Sequence, residues 1–142
     1  MLELSERALA LLDQSPIGRL ATVDRSGEAF AVPICFLVDG NLVYSVIDEK
    51  PKRTLHLKRV RNIEETGRAT LIVDHYEDNW QQLGWAMLRG NATIVEPGTE
   101  HAVAVASLRD RYQQYLTMAL DEAPVIRIEV DHATEWWAAS IS

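Results

Sequence analysis

Asp39-Gly40 stands between two apolar runs rich in Val, Ile and Phe, Ala29 to Val38 and Leu42 to Ile47. Both turn positions tolerate positive φ, which makes this pair a strong two-residue hairpin signal and commits its strands to antiparallel pairing. The flanking sequence repeats the theme. Ile17 to Val23 reads as a strand ending in the turn Asp24-Arg25-Ser26-Gly27, and Ala69 to Asp74 as another. Trp85 to Val95 is a longer strand with Gly90 as a bulge or bend. Val125 to Val130 alternates apolar with charged residues, and Thr134 to Ala139 closes the chain as a further strand. Pro33 marks an edge, a bulge or a break in its strand, because proline donates nothing to a ladder.

Three stretches have helical spacing instead: Leu2 to Leu12, Pro51 to Glu65 before Gly67, and Thr99 to Met118. In the last, Val105, Leu108, Tyr112 and Tyr115 share the buried face. Strand and helix do not alternate regularly, as a doubly wound sheet requires. The order predicts a mainly β fold with flanking helices, an antiparallel barrel closed or nearly closed, as one domain over residues 1–142.

Composition limits what such a domain binds. The chain has 142 residues and a formal net charge of −7. Its long-range field repels phosphate, so nucleic acid and anionic membrane are not expected partners. The N-terminal residues carry Glu3, Glu6 and Arg7 rather than a signal-peptide apolar region, and no apolar run approaches bilayer length. Cys35 is the sole cysteine, which excludes an internal disulfide and suits a reducing compartment. The expectation is a soluble cytoplasmic protein.

Against that acidic background, Lys50, Lys52, Arg53, Lys58, Arg59 and Arg61 place six of the 14 basic residues within twelve positions. The run begins where a strand ends and a helix starts. A helix N-terminus favours an anion, and cations there cost stability unless one is present. Phosphate capture is the functional reading; a solvated basic face paired with Asp48, Glu49, Glu64 and Glu65 is the alternative. Trp80, Trp85, Trp136 and Trp137 offer rings for stacking or for core packing. Adjacent on a strand, Trp136 and Trp137 face opposite ways. His56, His75, His101 and His132 have no metal-ligand spacing, and no metal is expected. The seven glycines form no dinucleotide or P-loop pattern. Cys35, inside an apolar strand, reads as buried and inert.

Several segments together resemble the pyridoxamine 5′-phosphate oxidase-like split barrels: Gly18-Arg19-Leu20-Ala21-Thr22-Val23, Val32-Pro33-Ile34-Cys35-Phe36, Tyr44-Ser45-Val46-Ile47-Asp48 and Lys50-Pro51-Lys52-Arg53. Arg61-Asn62-Ile63 and Ala69-Thr70-Leu71-Ile72-Val73-Asp74 extend the resemblance, which is nearest to a short branch described as F420-dependent oxidoreductases. It implies a split antiparallel β-barrel, a homodimer, and a phosphate-bearing tricyclic cofactor at the subunit interface. By matching position, Lys52 and Arg53 would hold the phosphate with Lys50 nearby. Pro33, Ile34, Cys35 and Phe36, with Ser45, Val46 and Ile47, would run beneath the ring and ribityl chain. Trp80 and Trp85 would come from the neighbouring subunit. The activity implied is hydride transfer from reduced F420 to a conjugated organic acceptor. The alternatives are an FMN-dependent reductase or oxidase and a non-catalytic cofactor carrier. The cations Lys50, Lys58, Arg59 and Arg61 favour F420 over FMN if they form a continuous surface for its anionic tail. No catalytic residue is assigned, and the chain lacks the C-terminal arginine and histidine set of the enzymes that oxidise vitamin B6.

Overall fold

In the computed structural model, residues 2–48 and 57–138 are described. Helix α1 (Glu6–Gln14) is followed by β1 (Gly18–Val23), β2 (Ala29–Ile34), β3 (Leu37–Asp39) and β4 (Leu42–Val46). Then come α2 (Lys58–Thr66), β5 (Arg68–His75), β6 (Gly84–Val95), α3 (Thr99–Arg111) and β7 (Val125–Trp137). All seven strands form one antiparallel sheet in the order β2-β1-β5-β6-β7-β4-β3.

That order puts β2 and β3 at opposite ends of the sheet, yet only Cys35 and Phe36 separate them in the chain. Laid flat, seven strands would span about 29 Å from first to last at the usual spacing. The three Cα steps from Ile34 to Leu37 reach at most about 11 Å. The sheet must therefore curl until its ends meet, which makes it a split barrel with its seam at Cys35-Phe36. Leu20, Leu71, Leu88, Ile126 and Ile128 fill the interior. A second cluster, built on Val105, Leu108, Tyr112 and Tyr115, packs α3 and the 3-10 turn after it against β4 and β7.

At the seam, backbone groups that would join a ladder are taken by one side chain. The Phe36 N–H donates to the Tyr112 hydroxyl at 3.0 Å, and that hydroxyl donates towards the Phe36 carbonyl at 3.0 Å or the Pro16 carbonyl at 2.9 Å. Arg111 Nε donates to the same oxygen, while the rest of its guanidinium ties down the carbonyls of Leu12, Asp13 and Ser15. The end of α1, the seam and the end of α3 thus share one network.

The structure departs from the sequence reading at several points. Asp39 pairs with Leu42, so the β3–β4 turn is Gly40-Asn41 rather than Asp39-Gly40. The helix expected over Pro51 to Glu65 starts at Lys58, because Leu57 before it is extended; residues 51–56 lie outside the described residues. The expected strand Ala29 to Val38 breaks at Cys35-Phe36. Pro33 pairs with Arg19 on an end strand, where its missing N–H is harmless. The two expected C-terminal strands are one 13-residue strand, because β6 pairs with it throughout and a register shift at Arg89/Gly90 absorbs the twist. At Gly90 a Cβ would stand 2.0 Å from the Glu129 carbonyl oxygen, so only glycine admits this approach. The helix from Thr99 stops at Arg111, and residues 113–117 wind on as a 3-10 turn. α1 lies four residues later at its start than the Leu2 expectation, with the Ser5 hydroxyl accepting the Ala8 N–H.

Tyr112→Phe keeps the ring but leaves the Phe36 N–H without its acceptor. The expected cost is about 1–3 kcal/mol of folding stability, the usual penalty for a buried unpaired group. Urea denaturation checks it; a midpoint matching the parent protein would show that the hydroxyl is dispensable.

Candidate functional site

A pocket of about 170 Å³ opens at the seam. The end of β2 supplies Pro33 and Ile34, and Cys35 follows them; β4 and the residues after it supply Ser45, Val46 and Asp48. Arg59 enters from the first turn of α2 and Tyr115 from the 3-10 turn beyond α3; Ile17 stands at the rim. The wall is rigid where it matters, since the Ser45 hydroxyl donates to the Cys35 carbonyl at 2.8 Å. Beside it, burial and hydrogen bonding with the Cys35 thiol push the Tyr115 phenol well above its ordinary range. Burial pulls the Arg59 guanidinium down, partly opposed by Asp48 and Tyr115. Arg59 Nε is wholly inaccessible and has no hydrogen-bond partner among the described residues.

The sequence-predicted residues divide into three groups. Pro33, Ile34, Cys35, Ser45 and Val46 line the pocket together. Phe36 and Ile47 belong to the core: Phe36 has no exposed surface and lies 5.1 Å from the Arg111 guanidinium, and Ile47 is buried in the same cluster. Their side chains lie behind the wall, so only backbone from these two positions can face a ligand. Lys50, Lys52 and Arg53 lie outside the described residues, but the segment holding them joins Asp48 to Leu57, and Asp48 and Arg59 both line the pocket. Trp80 is 76 % exposed on the turn between β5 and β6, and half-buried Trp85 is paired across the sheet with Trp136; neither lines the pocket of its own chain.

Cys35 is half-buried on the pocket wall, not sealed within a strand, because the chain leaves the sheet at this residue. The expected basic surface along α2 does not form either. Lys58 turns to Asp24 at 3.1 Å, and Asp24 is held well below the usual carboxylate range by the Ser26 hydroxyl, the Glu28 N–H and Lys58. Arg59 points into the pocket, which leaves Arg61 exposed on the helix. Asp48, Arg59 and Tyr115 were not legible as pocket residues, because only closure of the seam brings them together. Tyr115 was visible as a buried-face residue, but its neighbours were not.

Among the described residues no group of three or more His, Cys, Asp or Glu is placed to hold a metal, and no helix is long and apolar enough to cross a membrane. His75, His101 and His132 do not line the seam pocket; the His101 ring pairs with the Ala123 carbonyl at 2.7 Å. A larger cleft of 290 Å³ lies between α1 and the β3–β4 hairpin. Leucines dominate it, and Arg111 there is already committed to main-chain carbonyls. The smaller seam pocket carries the convergent polar groups that mark a ligand site.

The geometry makes Cys35 a reporter. Iodoacetamide should modify it in the free protein, and a ligand seated at the seam should slow the reaction at least about fivefold, as read by mass spectrometry; unchanged labelling under saturating ligand would place the ligand elsewhere.

Comparison with known proteins follows the same fold. The family model described as Pyridoxamine 5′-phosphate oxidase matches residues 4–137. A search of curated protein sequences finds no significant match. Among solved structures, a conserved hypothetical protein from Mycobacterium tuberculosis superposes with a TM-score of 0.76 at 17 % identity, covering 95 % of this chain and 86 % of that one. The heme storage protein HutZ from Vibrio cholerae gives 0.72 at 15 % identity, over 96 % of this chain and 95 % of its own. A FAD-binding protein from Mesorhizobium loti gives 0.66 at 18 % identity, over 93 % and 94 %. At these identities the likeness is one of fold.

Proposed function

The chain belongs to the pyridoxamine 5′-phosphate oxidase family, and from that premise we propose that it is a redox protein holding a phosphate-bearing flavin-type cofactor at the seam pocket. The observation that carries the reading is the convergence of the Arg59 guanidinium, whose buried Nε has no hydrogen-bond partner among the described residues, with the wall residues Pro33 to Cys35 and Ser45 to Val46. A buried donor without an acceptor fits a ligand that brings one. When bound, such a cofactor supplies hydride transfer. The protein's share is to grip the phosphate through Lys52 and Arg53, with Lys50 nearby, and to seat the ring on an ordered backbone wall.

The pocket of one chain is smaller than the roughly 300–1,000 Å³ usual for a whole ligand. We assign the missing part to a second copy of the chain. Exposed Trp80, beside exposed Tyr76, is the surface ring best suited to cross into a neighbour's site.

FMN and F420 share a phosphate and a ribityl chain. The tail-binding argument for F420 weakens once Lys58 is paired and Arg59 faces inward, so the proposal stands on the shared features. Both cofactors are expected to bind with affinities within about tenfold of each other, a difference of no more than about 1.4 kcal/mol. Because haem-binding proteins share the fold, hemin is the control. Fluorescence titration of the purified protein with FMN, F420 and hemin tests the assignment. Tight hemin binding with no response to either flavin-type cofactor would overturn it.

Lys52→Ala and Arg53→Ala should each weaken FMN binding about tenfold to a hundredfold, because a charge-assisted hydrogen bond contributes roughly 1.5–3 kcal/mol. The melting temperature should stay unchanged. Normal binding by a variant that melts early would make the basic segment structural.

A further inference from the structure

His101 is a buried histidine that the seam pocket does not use. It is 2 % exposed and sits in the first turn of α3. Its Nε2 lies 2.7 Å from the Ala123 carbonyl oxygen. A carbonyl only accepts, so Nε2 carries the proton, and Nδ1 of the neutral ring is an acceptor. Nδ1 makes no hydrogen bond among the described residues. It is not sealed either, since the sealed side-chain atoms without a partner among these residues are Arg59 Nε and Asn62 Oδ1. The access left to this ring therefore includes Nδ1, and it leads into a groove of about 360 Å³ that His101 lines.

The groove follows one row of α3. His101, Ala102, Val105, Ala106 and Arg109 recur at helical spacing, and exposed Ala102 and Ala106 leave the surface recessed between the two polar residues. Asp121 lines the groove from outside the helix. The chain that carries it is fastened to α3 on both sides. Arg109 donates to the Met118 carbonyl at 2.8 Å before it, and His101 donates to the Ala123 carbonyl after it. Asp121 itself is exposed and makes no hydrogen bond or ion pair among the described residues. Arg109 spends one more N–H on the Tyr115 carbonyl at 3.1 Å, so its guanidinium is held in place with three of its five N–H groups still to give.

The polar groups of the groove differ from end to end. Asp121 is two residues from the Ala123 clamp, so its carboxylate and His101 Nδ1 form an accepting end, which calls for an ammonium. The fixed guanidinium of Arg109 forms a donating end, which calls for a carboxylate. The alanines between them suit methylene groups. The eight steps from His101 to Arg109 rise about 12 Å along the helix axis, which favours charges held apart by a chain over the adjoining charges of an α-amino acid. We propose that this groove binds a small ω-amino acid, its ammonium donating to His101 Nδ1 and Asp121 and its carboxylate accepting from Arg109. The groove shares no lining residue with the seam pocket, so the assignment stands apart from the cofactor reading.

Three ligands with the same carbon chain and different charged ends test it: 6-aminohexanoate, hexanoate and hexylamine. In calorimetric titrations of the full-length protein, 6-aminohexanoate should bind at least about tenfold more tightly than either of the others, since each lacks one charge-assisted contact. Asp121→Asn should weaken 6-aminohexanoate at least about fivefold and leave the melting temperature unchanged, because Asp121 is exposed and unpaired. His101 and Arg109 also fasten the chain around Asp121, so His101 is followed without substitution, by nitrogen magnetic resonance of its ring. The free protein should show Nε2 protonated and Nδ1 unprotonated, and 6-aminohexanoate should move the Nδ1 signal while Nε2 keeps its proton. Binding of none of the three ligands would overturn the proposal, as would hexylamine or hexanoate binding as tightly as 6-aminohexanoate. Binding that leaves Nδ1 unmoved, or that Asp121→Asn does not weaken, would place the ligand elsewhere and overturn it too.

Discussion

Two residues, Cys35 and Phe36, join strands that lie at opposite ends of a seven-stranded sheet. This short connection forces the sheet to curl, and the curl would bring the edges of β2 and β3 together if nothing intervened. The Tyr112 hydroxyl intervenes by accepting the Phe36 N–H and donating towards the Phe36 or Pro16 carbonyl, and the Ser45 hydroxyl donates to the carbonyl of Cys35. The barrel is thereby closed by the chain and left open by its hydrogen bonds. Arg111 extends the same network to the end of α1, so the seam's geometry depends on elements contributed by widely separated parts of the sequence.

A seam held in this way is a natural ligand site. Its backbone wall is already satisfied, so it need not reorganise to accept a flat ring, and unmet demand is concentrated at Arg59. In the sequence, Lys50, Lys52 and Arg53 add cations shortly after Asp48 in a chain whose net charge is −7. Family membership establishes the split barrel, while the proposed cofactor rests on the polar groups that the chain's own residues bring to the seam. The same scaffold carries heme-binding and FAD-binding proteins, so the barrel alone does not select the ligand. On the proposed reading, selection rests on the polar groups at the seam.

Much of this fold is legible locally. The hairpin between β3 and β4, the alternation from Val125 to Val130 and the bulge at Gly90 each depend on a few adjacent residues, although the hairpin turns on Gly40-Asn41, one residue later than Asp39-Gly40. The buried face of Val105, Leu108, Tyr112 and Tyr115 is read equally well from helical spacing. Pro33 marks an edge strand, one of the readings its missing N–H allows, but the break at Cys35-Phe36 is not legible locally, because the hydroxyl that takes the Phe36 N–H lies 76 residues away. The pocket wall at residues 33–35 and 45–46 is visible through family resemblance, yet Phe36 and Ile47 turn into the core, and consecutive numbering does not reveal that. Arg59 was visible as charge but not as direction. Nothing in the run Leu57-Lys58-Arg59-Val60-Arg61 says that the first cation meets Asp24 while the second enters a pocket.

The central claim is that a phosphate-bearing flavin-type cofactor sits at the seam. A nuclear magnetic resonance titration of ¹⁵N-labelled full-length protein with FMN tests it most directly, because it locates the ligand without presuming an activity. The account predicts that the amides of Ile34, Cys35, Ser45, Val46 and Asp48 shift together with the Arg59 Nε–H signal. Shifts centred instead on the leucine-lined cleft between α1 and the β3–β4 hairpin, or no shifts at saturating FMN, would contradict it.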